Sequence, residues 1–194
     1  MDYTAFVEAG ESLVRLLRSY MSPEPVADPE QIGLCSPLDS KNNQLTVFLF
    51  HVELDVNSTQ AGYYNASPGV QRVNPTYFGL YYLITAHSKA PEHMREADQY
   101  RLIGAATQAL LDNPSIPPEY VTESLRDAGE LPRLSLQRLT HEQILKIWNS
   151  SSINYKLSVV CKMDGIAIAS RRERRVARVG EVIIGTDVKT REGP

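Results

Sequence analysis

From Tyr3 to Tyr20 apolar residues recur at three- and four-residue steps, through Phe6, Val7, Gly10, Leu13, Val14 and Leu17. That spacing predicts an opening amphipathic helix with those positions on one face. Pro23, Pro25 and Pro29 follow within nine residues and cannot continue it. Ile32 to Cys35 reads as a short strand. In Leu45 to Leu54, Val47, Leu49 and His51 alternate with Phe48, Phe50, Val52 and Leu54; two largely apolar faces predict a central, covered strand. Asn57 to Asn74 is polar, holds Gly62, Tyr63, Tyr64, Pro68 and Gly69, and reads as a long connection without structure of its own. Thr76 to His87 is aromatic and β-branched, the next strand.

Pro91, Glu92 and Glu96 suit the first turn of a long helix reaching about Asp112, with Leu102, Ile103, Ala106, Ala109 and Leu110 as its buried stripe and Asn113-Pro114 as its stop. A linker from Ser115 to Leu131 leads to a short strand over Leu134 to Leu139. Thr140-His141-Glu142-Gln143 has capping-box spacing and opens a short helix bearing Ile144, Leu145, Ile147 and Trp148. Ile153 to Met163 alternates as a strand, and Ala167 to Gly185 is a β-prone tail. Helices that do not alternate regularly with strands predict an α+β fold. Its sheet is mostly antiparallel or mixed, with the N-terminal, long and short helices packed on one side and an extended C-terminal arm. The division expected is a domain over 1–165 and an arm over 166–194. Leu49, Phe50, Tyr82, Leu83, Leu102, Leu110, Trp148 and Tyr155 are the expected core positions.

Length and composition add limits. At 194 residues, 42% hydrophobic and 22% charged, the chain buries enough surface to fold without disulfides or a structural metal. No stretch reaches the 18 or more apolar residues of a membrane span, and the acidic opening segment resembles no secretory signal, so cytoplasmic folding is expected. Cys35 and Cys161, far apart and outside any CxxC or Cys/His cluster, read as reduced, buried small hydrophobes.

Chemistry is sparse. No glycine-rich phosphate loop, nucleophile elbow, HExxH or EF-hand pattern occurs. His87 and His93, six apart across a helix start, do not share a face and read as exposed or singly satisfied, not as a metal pair. His51 reads as a satisfied sheet histidine. Glu53 and Asp55 share a strand face without evidence of a cleft. The expectation is a protein that is not an enzyme and carries no cofactor.

The sharpest anomaly is Arg171, Arg172, Arg174, Arg175 and Arg178, opposed only by Glu173. That run is locally +4, so of the chain's net −3 the remainder carries −7. Such a stripe can dock on the acidic surface of another subunit, grip phosphates or anionic lipid, or shield an edge strand from aggregation. A charged stretch running into Val182 and Ile184 also has the form of a strand donated to another sheet. The candidate partner-binding residues are therefore these five arginines with Val182 and Ile184.

Several blocks in order carry a resemblance. Leu45 to Val52, Tyr82-Leu83-Ile84-Thr85, Leu102-Ile103-Gly104 with Ala109-Leu110 and Asn113-Pro114, and Ile147-Trp148 with Tyr155 resemble the N-terminal domain family of the tail-cap, or tail-terminator, proteins of extracellular contractile injection systems. Relatives include those of the antifeeding prophage and the Photorhabdus virulence cassette. The resemblance covers roughly residues 5–165. It implies a structural protein whose copies form a hexameric ring on the last layer of inner tube and sheath, stop polymerisation and close the distal end of a particle that is released or anchored. Its partners would be itself, sheath and tube, with Arg171 to Ile184 completing the last unpaired sheet. The alternatives are a tail-completion or baseplate adaptor, or a nucleic-acid-binding protein using the arginine arm, the last disfavoured by the acidic body.

Overall fold

The computed structural model describes residues 3–126, 131–149 and 155–176. Five strands, β1 (Ile32–Leu34), β2 (Leu45–Leu54), β5 (Thr76–Ala86), β7 (Ser158–Ile168) and β6 (Arg133–Gln137), lie side by side in the order β1-β2-β5-β7-β6. Only β1 and β2 run parallel; the other pairs are antiparallel. A second sheet joins β3 (Tyr63–Ser67), β4 (Val70–Val73) and β8 (Glu173–Arg175), antiparallel in that order.

One face of the main sheet carries α1 (Ala5–Met21) and α2 (Arg95–Asp112), with the one-turn helix α3 (Glu123–Arg126) against α1. The main core forms there: Leu13, Leu16, Leu17 and Met21 of α1, with Leu102 and Ala106 of α2, meet Leu45, Leu80, Tyr82, Ile84 and Met163 of the sheet. The buried stripe of α1 is rotated from the one its hydropathy predicts. Tyr3, Val7 and Tyr20 are exposed, whereas Ala5, Ala9 and Leu16 are fully buried. Small side chains win that face because they let the helix axis approach the sheet, and a methyl at Gly10 would lie 2.8 Å from Leu34 Cδ1. Glu8 ties α1 to α3, accepting from Thr122 Oγ1 at 3.0 Å and from Ser124 Oγ; the Ser124 hydroxyl leads the contacts that hold its carboxyl below the usual range.

The short helix α4 (His141–Asn149) packs on the opposite face, a correction to the expectation of helices on one side only. Both halves of its capping box are present: Gln143 N–H donates to Thr140 Oγ1 at 3.3 Å, and Thr140 N–H donates to Gln143 Oε1 at 2.9 Å. Trp148 anchors it on Leu83 and Val160, the residues of β5 and β7 that alternation turns away from the main core. Of the other expected core positions, Tyr82, Leu83, Leu102 and Leu110 are buried, and Leu49 and Phe50 half-buried. Tyr155 is 54% exposed and only edges the Trp148 ring, at 6.1 Å between centroids. The outer half of β2, His51 to Leu54, is exposed instead of covered, since α4 reaches only one end of that face.

β7 begins at Ser158, later than predicted, and runs through position 165 to Ile168, so the boundary placed at 165 falls inside a sheet strand. Cys161 within it is buried, which pushes its thiol up to about 12; Cys35 is only half-buried and accepts from Asn43 Nδ2 at 3.0 Å.

Tyr82 is fully buried, and its hydroxyl has no hydrogen-bond partner among the described residues. A desolvated, unpaired hydroxyl costs about 1 kcal/mol or more. Tyr82→Phe is therefore expected to raise the unfolding free energy in urea by about 1 kcal/mol. A loss of that size would show instead that an ordered water pairs the hydroxyl.

Candidate functional site: a three-stranded arm

β2, β5 and β7 are adjacent in the main sheet, and β3, β4 and β8 repeat that order in the small one. Leu54 opposes Phe78, and Thr76 opposes Ile168, so all three strands leave the main sheet at one end. The chain then resumes each of them: β2 leads to β3, β4 returns to β5, and β7 leads to β8. The small sheet is thus an arm built by prolonging three central strands past a break.

Local chemistry makes both the break and the arm. Asp55 accepts from the N–H groups of Asn57 and Ser58 at 3.0 and 3.1 Å, turning the chain out of β2; the Ser58 bonds hold its carboxyl below the usual range. Thr59 Oγ1 accepts from Tyr77 N–H at 3.0 Å and pins the departing chain against β5. At the tip Ser67 pairs with Val70 around Pro68-Gly69, and Gly69 has φ of 79°. Proline first and a positive-φ glycine second is the type II pattern. The 57–74 stretch is therefore a hairpin, not the structureless connection predicted; Pro68-Gly69 was the readable signal.

Two cross-strand ladders hold the arm. On one face Asn65 Oδ1 accepts from Gln71 Nε2 at 3.0 Å, and Gln71 Oε1 accepts from Arg174 Nε and Nη2 at 2.9 and 2.7 Å. The Arg174 guanidinium also stacks 3.9 Å from the Tyr63 ring centroid. On the other face Arg72 pairs with Glu173 through Nε, at 3.1 Å, and Nη2. No residue from 57 to 73 or from 171 to 176 is buried. Such cross-strand pairs contribute roughly 0.2–1 kcal/mol each, and a small sheet without an apolar face is marginal alone.

The candidate partner-binding arginines therefore divide. Arg174 is spent on Tyr63 and Gln71, and Arg171 lies 6.0 Å over the Tyr3 ring. Arg172 and Arg175 are exposed and form no ion pair among the described residues. Arg178, Val182 and Ile184 lie outside the described residues. Sequence reasoning noted Tyr63 and Tyr64 in this stretch but missed Arg72, and missed that the hairpin brings all three beside the arginine run.

At the arm's base, on the sheet face α4 leaves open, Lys162 Nζ lies 3.2 Å from Glu53 and 3.1 Å from Asp164, and Tyr81 Oη donates to Glu53 at 2.6 Å. Partial burial works against the Lys162 charge, but Asp164 and Glu53 outweigh it and raise its pKa. Gly79 makes room: a methyl there would sit 2.6 Å from Lys162 Cε. The cluster satisfies itself and braces the sheet where the arm departs. Among the described residues no group of three or more His, Cys, Asp or Glu could hold a metal ion, and no helix is long and apolar enough to cross a membrane.

Two solved structures share this architecture. The sheath/tube terminator of the extracellular contractile injection system PVC, in its extended state, superposes with TM-score 0.62 at 14% identity, covering 93% of this chain and 64% of that one. The tube-terminating cap of the anti-feeding prophage superposes with TM-score 0.63 at 16% identity, covering 93% and 61%. At these identities the likeness is one of fold, and this chain spans less than two thirds of either neighbour's length. No curated protein matches the sequence. The family model described as the Pvc16 N-terminal domain matches residues 8–181, which takes in the main sheet, α2 to α4, all of α1 but its first three residues, and the whole described arm, and the chain belongs to that family.

Proposed function

We propose that the chain is a structural terminator of a phage-tail-like contractile particle, its copies closing into a ring, hexameric by our reading, on the last layer of inner tube and sheath. The observation that carries this reading is a fold shared over 93% of the chain with two proteins described as terminators. The arm supports it: a marginal small sheet with exposed outer edges and a basic rim gains more from an added strand or an acidic partner than from standing alone. Arg172 and Arg175 are the exposed charges we assign to that contact, with Arg178, Val182 and Ile184 beyond them. We further assign assembly to the cytoplasm, before the particle is released or anchored.

The test is particle length. Electron microscopy of particles assembled without this chain is expected to show a broad spread of tube and sheath lengths, narrowed again when the chain is supplied. Supplying Arg172→Glu/Arg175→Glu is expected to narrow it only partly. A length distribution indifferent to the chain would end the terminator reading.

A further inference from the structure

At the end of the main sheet opposite the arm, a pocket of about 320 Å³ opens between the Ser40–Asn43 loop, the residues after β5, the first turn of α2 and the approach to β7. Lys41, Lys89, Arg95 and Lys156 line it together with His87, and no carboxylate does. None of the four cations has an ion pair among the described residues. The arrangement is unusual in a chain whose net charge is −3. Arg95 moreover opens a helix, at the end where the backbone dipole disfavours positive charge.

Lys156 is the informative member. It is half-buried, and its partner is an imidazole: its ammonium donates to His87 Nδ1 at 3.0 Å, which leaves Nε2–H to donate to Thr46 Oγ1 at 3.0 Å. Burial, then the Lys156 charge, push His87 down to about 4, and burial lowers Lys156 as well. His87 is therefore neutral and held at both nitrogens, not exposed or singly satisfied as its sequence position implied. The part-buried ammonium thus has no counter-charge, although buried or half-buried charges are ordinarily paired. Asp98, which accepts from the pocket residue Ser88 Oγ at 2.6 Å, is paired with Arg101 at 3.6 Å.

We infer that this pocket docks an acidic peptide segment, two neighbouring carboxylates of a partner protein entering among Lys41, Lys89, Arg95 and Lys156. Four cations drawn from separate segments complement spaced carboxylates. The backbone half of a phosphate cradle, glycine-rich chain and free helix N–H groups, is missing: no glycine lines this pocket, and the Arg95 N–H is bonded to the Glu92 carbonyl. The inference stands apart from the terminator reading, because the arm and this pocket lie at opposite ends of the sheet.

The experiment is fluorescence anisotropy of labelled hexaglutamate on the full chain at low salt, with hexaglutamine as reference. Hexaglutamate should bind, and Lys89→Gln/Lys156→Met should weaken it by roughly tenfold or more, as truncating partners of a charge contact does. Lys146→Gln, on α4, should leave binding unchanged. Melting curves should keep the double variant within a few degrees of the parent, since relief of like charge offsets the lost Lys156–His87 hydrogen bond. Equal binding of the two peptides, or undiminished binding by the double variant, would overturn the inference. So would displacement by inorganic pyrophosphate at lower concentration than by unlabelled hexaglutamate, which would make the pocket a phosphate site.

Discussion

Trp148→Ala is expected to free α4 from the sheet while the rest of the domain stays folded. Truncating a buried tryptophan costs about 3–5 kcal/mol. Among the described residues Trp148 is the one buried α4 residue of the cluster it forms with Leu83 and Val160, so the change removes the helix's anchor and leaves the partly buried Ile144 and Ile147 to hold it. A nine-residue helix is not stable alone, capping box included. Release should therefore limit the loss to the docking energy of α4 instead of transmitting all of it to the main core. Hydrogen exchange is the measurement: α4 amides lose protection, whereas those of α2 keep theirs, and the melting temperature drops by only a few degrees. Simultaneous loss of protection in α2 and α4 would show that the two faces fold as one cooperative unit.

Excising the arm should have the opposite profile, small for stability and complete for activity. Replacing residues 57–75 by Asn-Gly joins β2 to β5, already antiparallel neighbours, through a two-residue hairpin turn. No side chain from 57 to 73 is buried, so no cavity results, and the melting temperature should stay within a few degrees of the parent. β8 loses its partner strand, and Arg174 its Tyr63 and Gln71. If the arm makes the terminator's contact, particles supplied with the excised chain should be as heterogeneous in length as particles lacking it. Normal lengths would place the working contact elsewhere on the domain.

What the sequence disclosed and what it withheld separate along a physical line. Strands such as Thr76–Ala86 and the capped start of α4 were legible because alternation and capping are local signals. The buried face of α1 was misread because hydropathy favours Tyr3, Val7 and Tyr20, while close packing selects Ala5 and Ala9; approach distance is a property of the pair of elements. The arm was misread because its strands are largely polar and none of their residues is buried, so period-two alternation has no covered apolar face to mark. Tyr155 sits beside Trp148 in sequence pattern and at its edge in space, yet half outside the core. The cation pocket was invisible: Lys41, Lys89, Arg95 and Lys156 come from four stretches that only the sheet brings together.

The repeated strand order has a mechanical consequence. Because β3, β4 and β8 are in covalent series with β2, β5 and β7, a pull on the arm along its length reaches the middle of the main sheet and not its edges. Interstrand hydrogen bonds lie across the strands, so that tension shears whole ladders at once instead of peeling them pair by pair. A part exposed to the recoil of a contracting machine would hold its grip best when loaded in that direction.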